Sequence, residues 1–306
     1  MILIHDPRSA EYSAPGHPER PERITETVSL LRTRHSNWKW RLPQPADESA
    51  ILRAHTPQHL ARIRNAASAF DPDTPAYPGI YDHAARAVGA AIDAAHAALQ
   101  GDPAFSLMRP PGHHATRSRA MGFCYLSNIA IAALEVTARE SDPEPQHPST
   151  GAIKGKTRTS RVGIWDFDAH HGNGTEDIVL SHPGILFTSI HQFPGYPGTG
   201  TRSFGNIYNF PLAPLESRKK HMEAVREALD LLIAFEPDLL LVSAGFDAYL
   251  HDPLTEMTLE PEDFATMGQW LRKAGIPAAA ILEGGYSNDL PKLVDLFLSA
   301  WSGEEK

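Results

Sequence analysis

The residues best suited to chemistry are Asp168 and His170, two apart in the run DFDAHHGNG (Asp166–Gly174), and Asp247 in SAGFDA (Ser243–Ala248). Side chains two apart around the end of a strand can point to the same side. An Asp-His-Asp set leaves one position open for water and substrate, a common form of catalytic zinc centre, and ferrous iron accepts the same donors. The metal-free alternative is a buried network of carboxylates and histidines. A third acid behind a separate strand weakens it.

Two carboxylates neutralise much of a divalent charge, so a water held there is acidified less than under three neutral imidazoles. Such a centre needs a separate general base, and histidine is the usual choice. The tandem His113 and His114 in RPPGHHA (Arg109–Ala115) follow Pro110, Pro111 and Gly112, which stiffen and bare the turn. Adjacent residues in an extended loop face different partners, and Asp166 is placed to orient one imidazole and favour its charged form. An amide hydrolase also needs a second contact to its oxyanion. Tyr286 follows Gly284 and Gly285, whose missing side chains let the backbone carry a phenol close to a metal.

These residues must be positioned by the elements before them. Strand-like apolar runs are Met1–Ile4, Phe105–Met108, Val162–Phe167, Ile185–Ile190, Leu239–Ala244 and Ala278–Glu283. Helical patterns cover Pro21–Arg34, Ile80–Leu99, Ser127–Arg139, Ser217–Phe235, Pro261–Ala274 and Asp289–Trp301. The alternation predicts an α/β fold with a mostly parallel sheet and helices on both faces. In such a sheet all carboxyl ends share one edge, where open α/β folds bind ligands. The loops after five strands would therefore converge: RPPGHHA, DFDAHHGNG, HQFPGYPGTG (His191–Gly200), GFDAYLHDPL (Gly245–Leu254) and GGYS (Gly284–Ser287).

Nothing marks an internal repeat or a domain break, so residues 1–306 read as a single domain. Glu140–Arg161, rich in Pro, Ser, Thr, Gly and charge, reads as a flexible surface loop, with a regulatory or partner-binding segment as the alternative. The formal charge of -9 argues against a nucleic-acid partner and tolerates a cationic substrate. No apolar run is long enough to span a membrane, and MILIHDPRS lacks the features of a secretory signal. With the lone Cys124 excluding an intramolecular disulfide, a soluble cytoplasmic protein is expected. Cys124 itself reads as a buried small apolar residue. His5, His35, His55, His59, His83, His96 and His221 read as surface or helix residues without a functional role.

In order and spacing, GHPERPERI (Gly16–Ile24), RPPGHHA, GFCYLSN (Gly122–Asn128), DFDAHHGNG, SIHQFPGYPGTG (Ser189–Gly200), SAGFDA and EGGY (Glu283–Tyr286) resemble the motifs of the histone deacetylase and acetylpolyamine amidohydrolase superfamily. The resemblance implies a single-domain arginase/deacetylase fold around an eight-stranded sheet. It implies Asp168, His170 and Asp247 as zinc ligands, His114 as general base and then acid, and His113, supported by Asp166, as its electrostatic partner. Tyr286 would polarise the substrate carbonyl, Gly122, Phe123 and Tyr196 would wall an acyl-lysine tunnel, and Arg23 would lie near an internal channel. Asp73 would be the rim carboxylate that grips a substrate backbone. A structural potassium ion would sit near Asp166, Asp168, His170 and Ser189.

Within the superfamily, Asn173 behind His114, together with a retained Tyr286, resembles the class II-like bacterial enzymes. Leu254, seven residues after Asp247, stands where one polyamine-selective branch has Glu, and it favours an acyl-lysine protein or peptide. His251 and Asp252 beside it could still meet a charged group, so a small acylated amine such as an acetylpolyamine is the alternative substrate. No long insertion follows Asp73 of the sort that closes the dimeric polyamine enzymes' channel; monomer or homo-oligomer stays open. A non-catalytic acyl-lysine binder is a remote alternative, opposed by the intact histidine pair and Tyr286. A two-manganese ureohydrolase would need further acidic ligands.

Overall fold

The computed structural model describes residues 1–138 and 160–304. The strands are β1 (Ile2–Ile4), β2 (Lys39–Arg41), β3 (Ala104–Ser106), β4 (Val162–Asp166), β5 (Ile185–Gln192), β6 (Ile207–Leu212), β7 (Leu239–Ala244) and β8 (Ala278–Leu282). The helices are α1 (Glu22–Arg34), α2 (Glu48–Ala54), α3 (Pro57–Arg64), α4 (Ile80–Leu99), α5 (Asn128–Thr137), α6 (Asn173–Val179), α7 (Arg218–Ala234), α8 (Pro261–Ala274) and α9 (Leu290–Ser302). The strands form one sheet in the order β2-β1-β3-β8-β7-β4-β5-β6, and every pairing is parallel. The expected eight-stranded α/β sheet is therefore present.

Successive residues along a strand feed opposite faces. Ile164 of β4 joins a core with α4 and α5, whereas Trp165 packs on the other side with α7, α8 and α9. Both faces are thus covered, which is why β7 and β8 are buried at every position. Helix α8 starts with a capping box between Glu260 and Asp263 ahead of Pro261, and stops at Gly275 in the left-handed region.

All six predicted strands and all six predicted helices have counterparts, with shifted ends. The two unforeseen strands, β2 and β6, are the sheet's edges. Edge strands are commonly short or polar, and Pro211 in β6 is tolerated where a missing N–H breaks no central ladder. Helices α2, α3 and α6 span only seven or eight residues, too few for a periodic signal. The predicted loop Glu140–Arg161 lies outside the described residues except for its last two positions; there the Arg161 N–H donates to Asp238 Oδ2 at 2.9 Å.

Of the histidines read as surface or helix residues, His59, His83, His96 and His221 do lie in helices, whereas His5, His35 and His55 lie in no helix and are buried rather than on the surface. His59, His83 and His221 are buried as well. Most serve as polar struts. His55 Nδ1 reaches Thr116 O while its Nε2 accepts Ser127 N–H, and His59 Nε2 reaches Tyr125 O. His35 sits between Asp295 and Glu304 and stacks on Trp38. Cys124 is buried as expected, in the loop ahead of α5. Among the described residues, no helix is long and apolar enough to cross a membrane.

Candidate active site

The five strands whose ends carry the motifs are consecutive in the sheet, β3-β8-β7-β4-β5. Their carboxyl ends bring Asp168, His170 and Asp247 together, with one donor atom from each inside 4.8 Å of the others. His170 Nδ1 lies 2.8 Å from Asp247 Oδ2 and 3.2 Å from Asp168 Oδ1. The remaining carboxylate oxygens are fixed by backbone donors: Gly284 N–H to Asp168 Oδ2 at 2.7 Å, and Ala169 N–H to Asp247 Oδ1 at 2.8 Å. Each acid thus keeps one oxygen directed to the shared point. Two fully buried carboxylates so close repel unless a cation or proton separates them, and the donor set suits a divalent ion of zinc's kind. A Cβ on Gly284 would lie 2.3 Å from Asp247 Oδ2 and 2.5 Å from Asp168 Oδ2, so only glycine lets the backbone pass there.

The adjacent histidines do face different partners. His113 Nδ1 meets Asp166 Oδ2 at 3.1 Å, with its Nε2 3.7 Å from Asp168 Oδ1. His114 Nδ1 meets Asn173 Oδ1, at the first residue of α6, at 2.8 Å. Burial opposes charge on His113, but the Asp168 and Asp166 carboxylates more than reverse it and push its pKa up to about 10. His114 moves the other way: burial, then the charges on His113 and His170, hold it well below the ordinary histidine value. Because Asn173 Oδ1 accepts, His114 donates from Nδ1, and its Nε2 is the atom left to take a proton.

Tyr286 is 8% exposed, with Phe123 edge-on at 5.6 Å and the Arg23 guanidinium 4.9 Å from its ring centre. Burial raises its pKa well above the ordinary phenol value, so it stays protonated. Arg23 is buried and donates to Gly285 O at 2.6 Å and to Glu283 O. Tyr196 stands edge-on to His114 at 5.1 Å and to His170 at 6.3 Å. Gly122 and Phe123 both have positive φ, and a Cβ on Gly122 would lie 2.6 Å from His114 Cδ2 and 2.9 Å from Tyr196 Cε1. Gly122 and Tyr196 thus lie against His114, and Phe123 against Tyr286. Ser189 is the register partner of Asp166 across β4 and β5, and its Oγ meets His191 Nδ1 at 2.9 Å. Leu254 is 41% exposed, whereas the exposed Asp73 touches the site's surroundings through its carbonyl, which accepts from His17 Nε2 at 3.1 Å.

Three carboxylates had been given no such part by the pattern of residues. Asp252 was read as free to meet a charged substrate group; instead it is buried, and its Oδ2 accepts the Tyr286 N–H at 2.7 Å. Glu283 Oε2 accepts the N–H groups of Gly112 and His113, at 2.7 and 3.2 Å, and so pins the histidine loop. Asp71 Oδ2 accepts Gly122 N–H at 3.2 Å. The one available signal was Glu283, an acid ending an otherwise apolar strand at the ligand edge.

Residues 17–300 match the histone deacetylase domain family. An uncharacterized protein of Synechocystis is 40% identical over 304 residues, covering 93% of this chain and 94% of the relative. A histone deacetylase-like amidohydrolase of Pseudomonas aeruginosa is 35% identical over 90% of this chain and 74% of its own. The crystal structure of an acetylpolyamine aminohydrolase from Burkholderia pseudomallei superposes with a TM-score of 0.80 at 26% identity, over 99% of this chain and 98% of that one. Its likeness extends to the deacetylase fold as a whole, so the architecture anticipated from the motifs stands. The chain belongs to the histone deacetylase family of amide hydrolases.

Proposed function

We propose that the chain is a zinc-dependent deacetylase that removes acetyl or another short acyl group from the side-chain amine of acyl-lysine in proteins or peptides. The observation that carries this reading is the placement, beside the Asp168–His170–Asp247 cluster, of two groups: an imidazole, His114, edge-on to His170 with Nδ1 held by Asn173 and Nε2 left to accept a proton, and the buried phenol of Tyr286. Those are the two functions that amide hydrolysis requires: a base for water and a donor for the oxyanion.

Asp168, His170 and Asp247 would hold the cation, with ferrous iron as a chemical equivalent. When bound, the cation supplies Lewis acidity at the substrate carbonyl and at a water. His114 Nε2 takes a proton from the water as its oxygen attacks the carbonyl carbon. Tyr286 donates its hydroxyl hydrogen bond to the carbonyl oxygen as charge develops there. His113, paired at Nδ1 with the Asp166 carboxylate, would carry positive charge beside His114 and so favour the neutral form of His114 until that proton arrives. His114 then returns the proton to the nitrogen, the C–N bond breaks, and a carboxylic acid and an amine leave, to ionise as carboxylate and ammonium at neutral pH. Asn173 orients the imidazole throughout without adding a full negative charge, the class II-like choice.

Phe123 and Tyr196 form the walls past which a linear acyl-amine would reach this chemistry, and Arg23 lines the inner end behind Tyr286. A potassium ion held by Asp166, Asp168, His170 and Ser189, partly through carbonyls, would add positive potential beneath the site. The β4–β5 register that sets Asp166 beside Ser189 supports it. Exposed Leu254 favours the uncharged stretch of an acyl-lysine substrate over a remote ammonium. The acetylpolyamine reading is favoured by the name of the Burkholderia relative. A cytoplasmic location suits the single, buried cysteine. The test is a rate panel on the purified protein: acetyl-lysine peptides, longer acyl-lysines, acetylpolyamines and simple acylated amines. Acetyl-lysine peptides should show the highest kcat/KM; faster acetylpolyamine turnover would hand the assignment to the second reading.

A further inference from the structure

Tyr286 lies in neither strand nor helix, between the end of β8 at Leu282 and the start of α9 at Leu290. It follows two glycines, and Gly285 has a φ of +117°, so the chain leading to it is intrinsically loose. Something outside the loop must fix its backbone.

The fixing group is Asp252, in the loop between β7 and α8. Its neighbours His251, Pro253 and Leu254 are exposed, yet Asp252 turns inward and is 6% exposed. A carboxylate drawn inward from an exposed turn must be met by donors, and three hydrogen bonds show which. Asp252 Oδ2 accepts the Tyr286 N–H at 2.7 Å and the Ser287 N–H at 3.3 Å. Its Oδ1 accepts the Leu254 N–H at 3.0 Å. A second tie joins the same two loops, the Tyr249 hydroxyl donating to Asp289 Oδ2 at 2.9 Å.

We propose that Asp252 is a positioning residue that fixes both the oxyanion donor Tyr286 and the rim residue Leu254 from a single carboxylate. The inference rests on the reading of Tyr286 given above. It acts on turnover through Tyr286 and on selectivity through Leu254. Both oxygens accept backbone N–H groups, so asparagine cannot replace the carboxylate: its NH2 would face one of those donors.

The test uses the zinc-loaded protein in a cycle of Asp252→Asn, Tyr286→Phe and the double variant. Asp252→Asn should lower kcat about 10- to 100-fold, the scale of misplacing a reacting group by up to an ångström, with metal content unchanged. In the Tyr286→Phe background the same change should cost less than about twofold, because coupled residues are not additive. The ratio of kcat/KM for an acetyl-lysine peptide to that for an acetylpolyamine should also shift. Amide hydrogen exchange supplies a readout independent of activity. In the wild type the Tyr286 and Ser287 amides should exchange slowly, and Asp252→Asn should speed them. An unchanged kcat in folded Asp252→Asn, a full multiplicative loss in the double variant, or unprotected wild-type amides would each overturn the proposal. A wild type inactive on every acylated amine would overturn the functional reading, and with it the catalytic half of this one; the exchange rates would still decide the clamp.

Discussion

Gly122→Ala isolates the geometry of the general base. The added Cβ would sit 2.6 Å from His114 Cδ2, 3.0 Å from His114 Cγ and 2.9 Å from Tyr196 Cε1. Carbon atoms rest at about 3.5–4.0 Å, so the imidazole must retreat by roughly 1 Å. His114 is held at Nδ1 by Asn173 at 2.8 Å, and a retreat of that size breaks the bond that sets its tautomer. A 1 Å misplacement of a catalytic group costs about 100-fold in rate, so kcat should fall by about that factor. The φ of +56° at Gly122 adds a separate stability cost of about 1–2 kcal/mol, the penalty for an L-residue in the left-handed region. The three atoms nearest that Cβ belong to His114 and Tyr196, neither a proposed metal ligand, so zinc content should not change. The assay is steady-state turnover of an acetyl-lysine peptide, alongside zinc analysis and urea unfolding. A folded, zinc-loaded variant with wild-type kcat would refute the reasoning, because either the contact or the role of His114 would be wrong.

Tyr286→Phe should leave metal binding intact and lower kcat by about 100- to 1000-fold, the scale of one lost oxyanion donor, as read by turnover and zinc analysis. Asn173→Asp places a carboxylate 2.8 Å from His114 Nδ1 and should raise the pKa of an imidazole now held below its ordinary value. Since His114 works as the neutral base, activity is lost as pH falls through that pKa. The acid limb of kcat/KM against pH should therefore move to higher pH in the variant; an unmoved limb would remove His114 as the base. Leu254→Glu, at an exposed rim position, should raise relative activity on acetylpolyamines by about two- to fivefold, the worth of an exposed ion pair, measured as a ratio of kcat/KM values.

The site was legible in the sequence because its residues sit where apolar runs stop. An uninterrupted run such as LLLVSA, in alternation with helical patterns, reads as a buried parallel strand, and whatever follows it then lands on the ligand edge. Asp168, His170, Asp247, His113, His114 and Tyr286 are all placed by that rule. What supports them was not legible. Asp252, Glu283 and Asp71 act by accepting backbone N–H groups of loops 34, 170 and 51 residues away, contacts that no periodicity encodes. His55, which lies in no helix, is buried rather than exposed for a related reason: distant backbone groups partner both of its ring nitrogens. At the sheet's margins, β2 and β6 escaped notice because edge strands need no apolar pattern on both faces.

The central claim is that Asp168, His170 and Asp247 hold one divalent cation on which amide hydrolysis depends. It is tested most directly by stripping the protein with a chelator and measuring acetyl-lysine peptide hydrolysis as zinc is returned. Activity should vanish on stripping, rise in proportion to added metal, and saturate near one equivalent, about one ion per three-ligand catalytic centre. Full activity in metal-free protein would contradict the account.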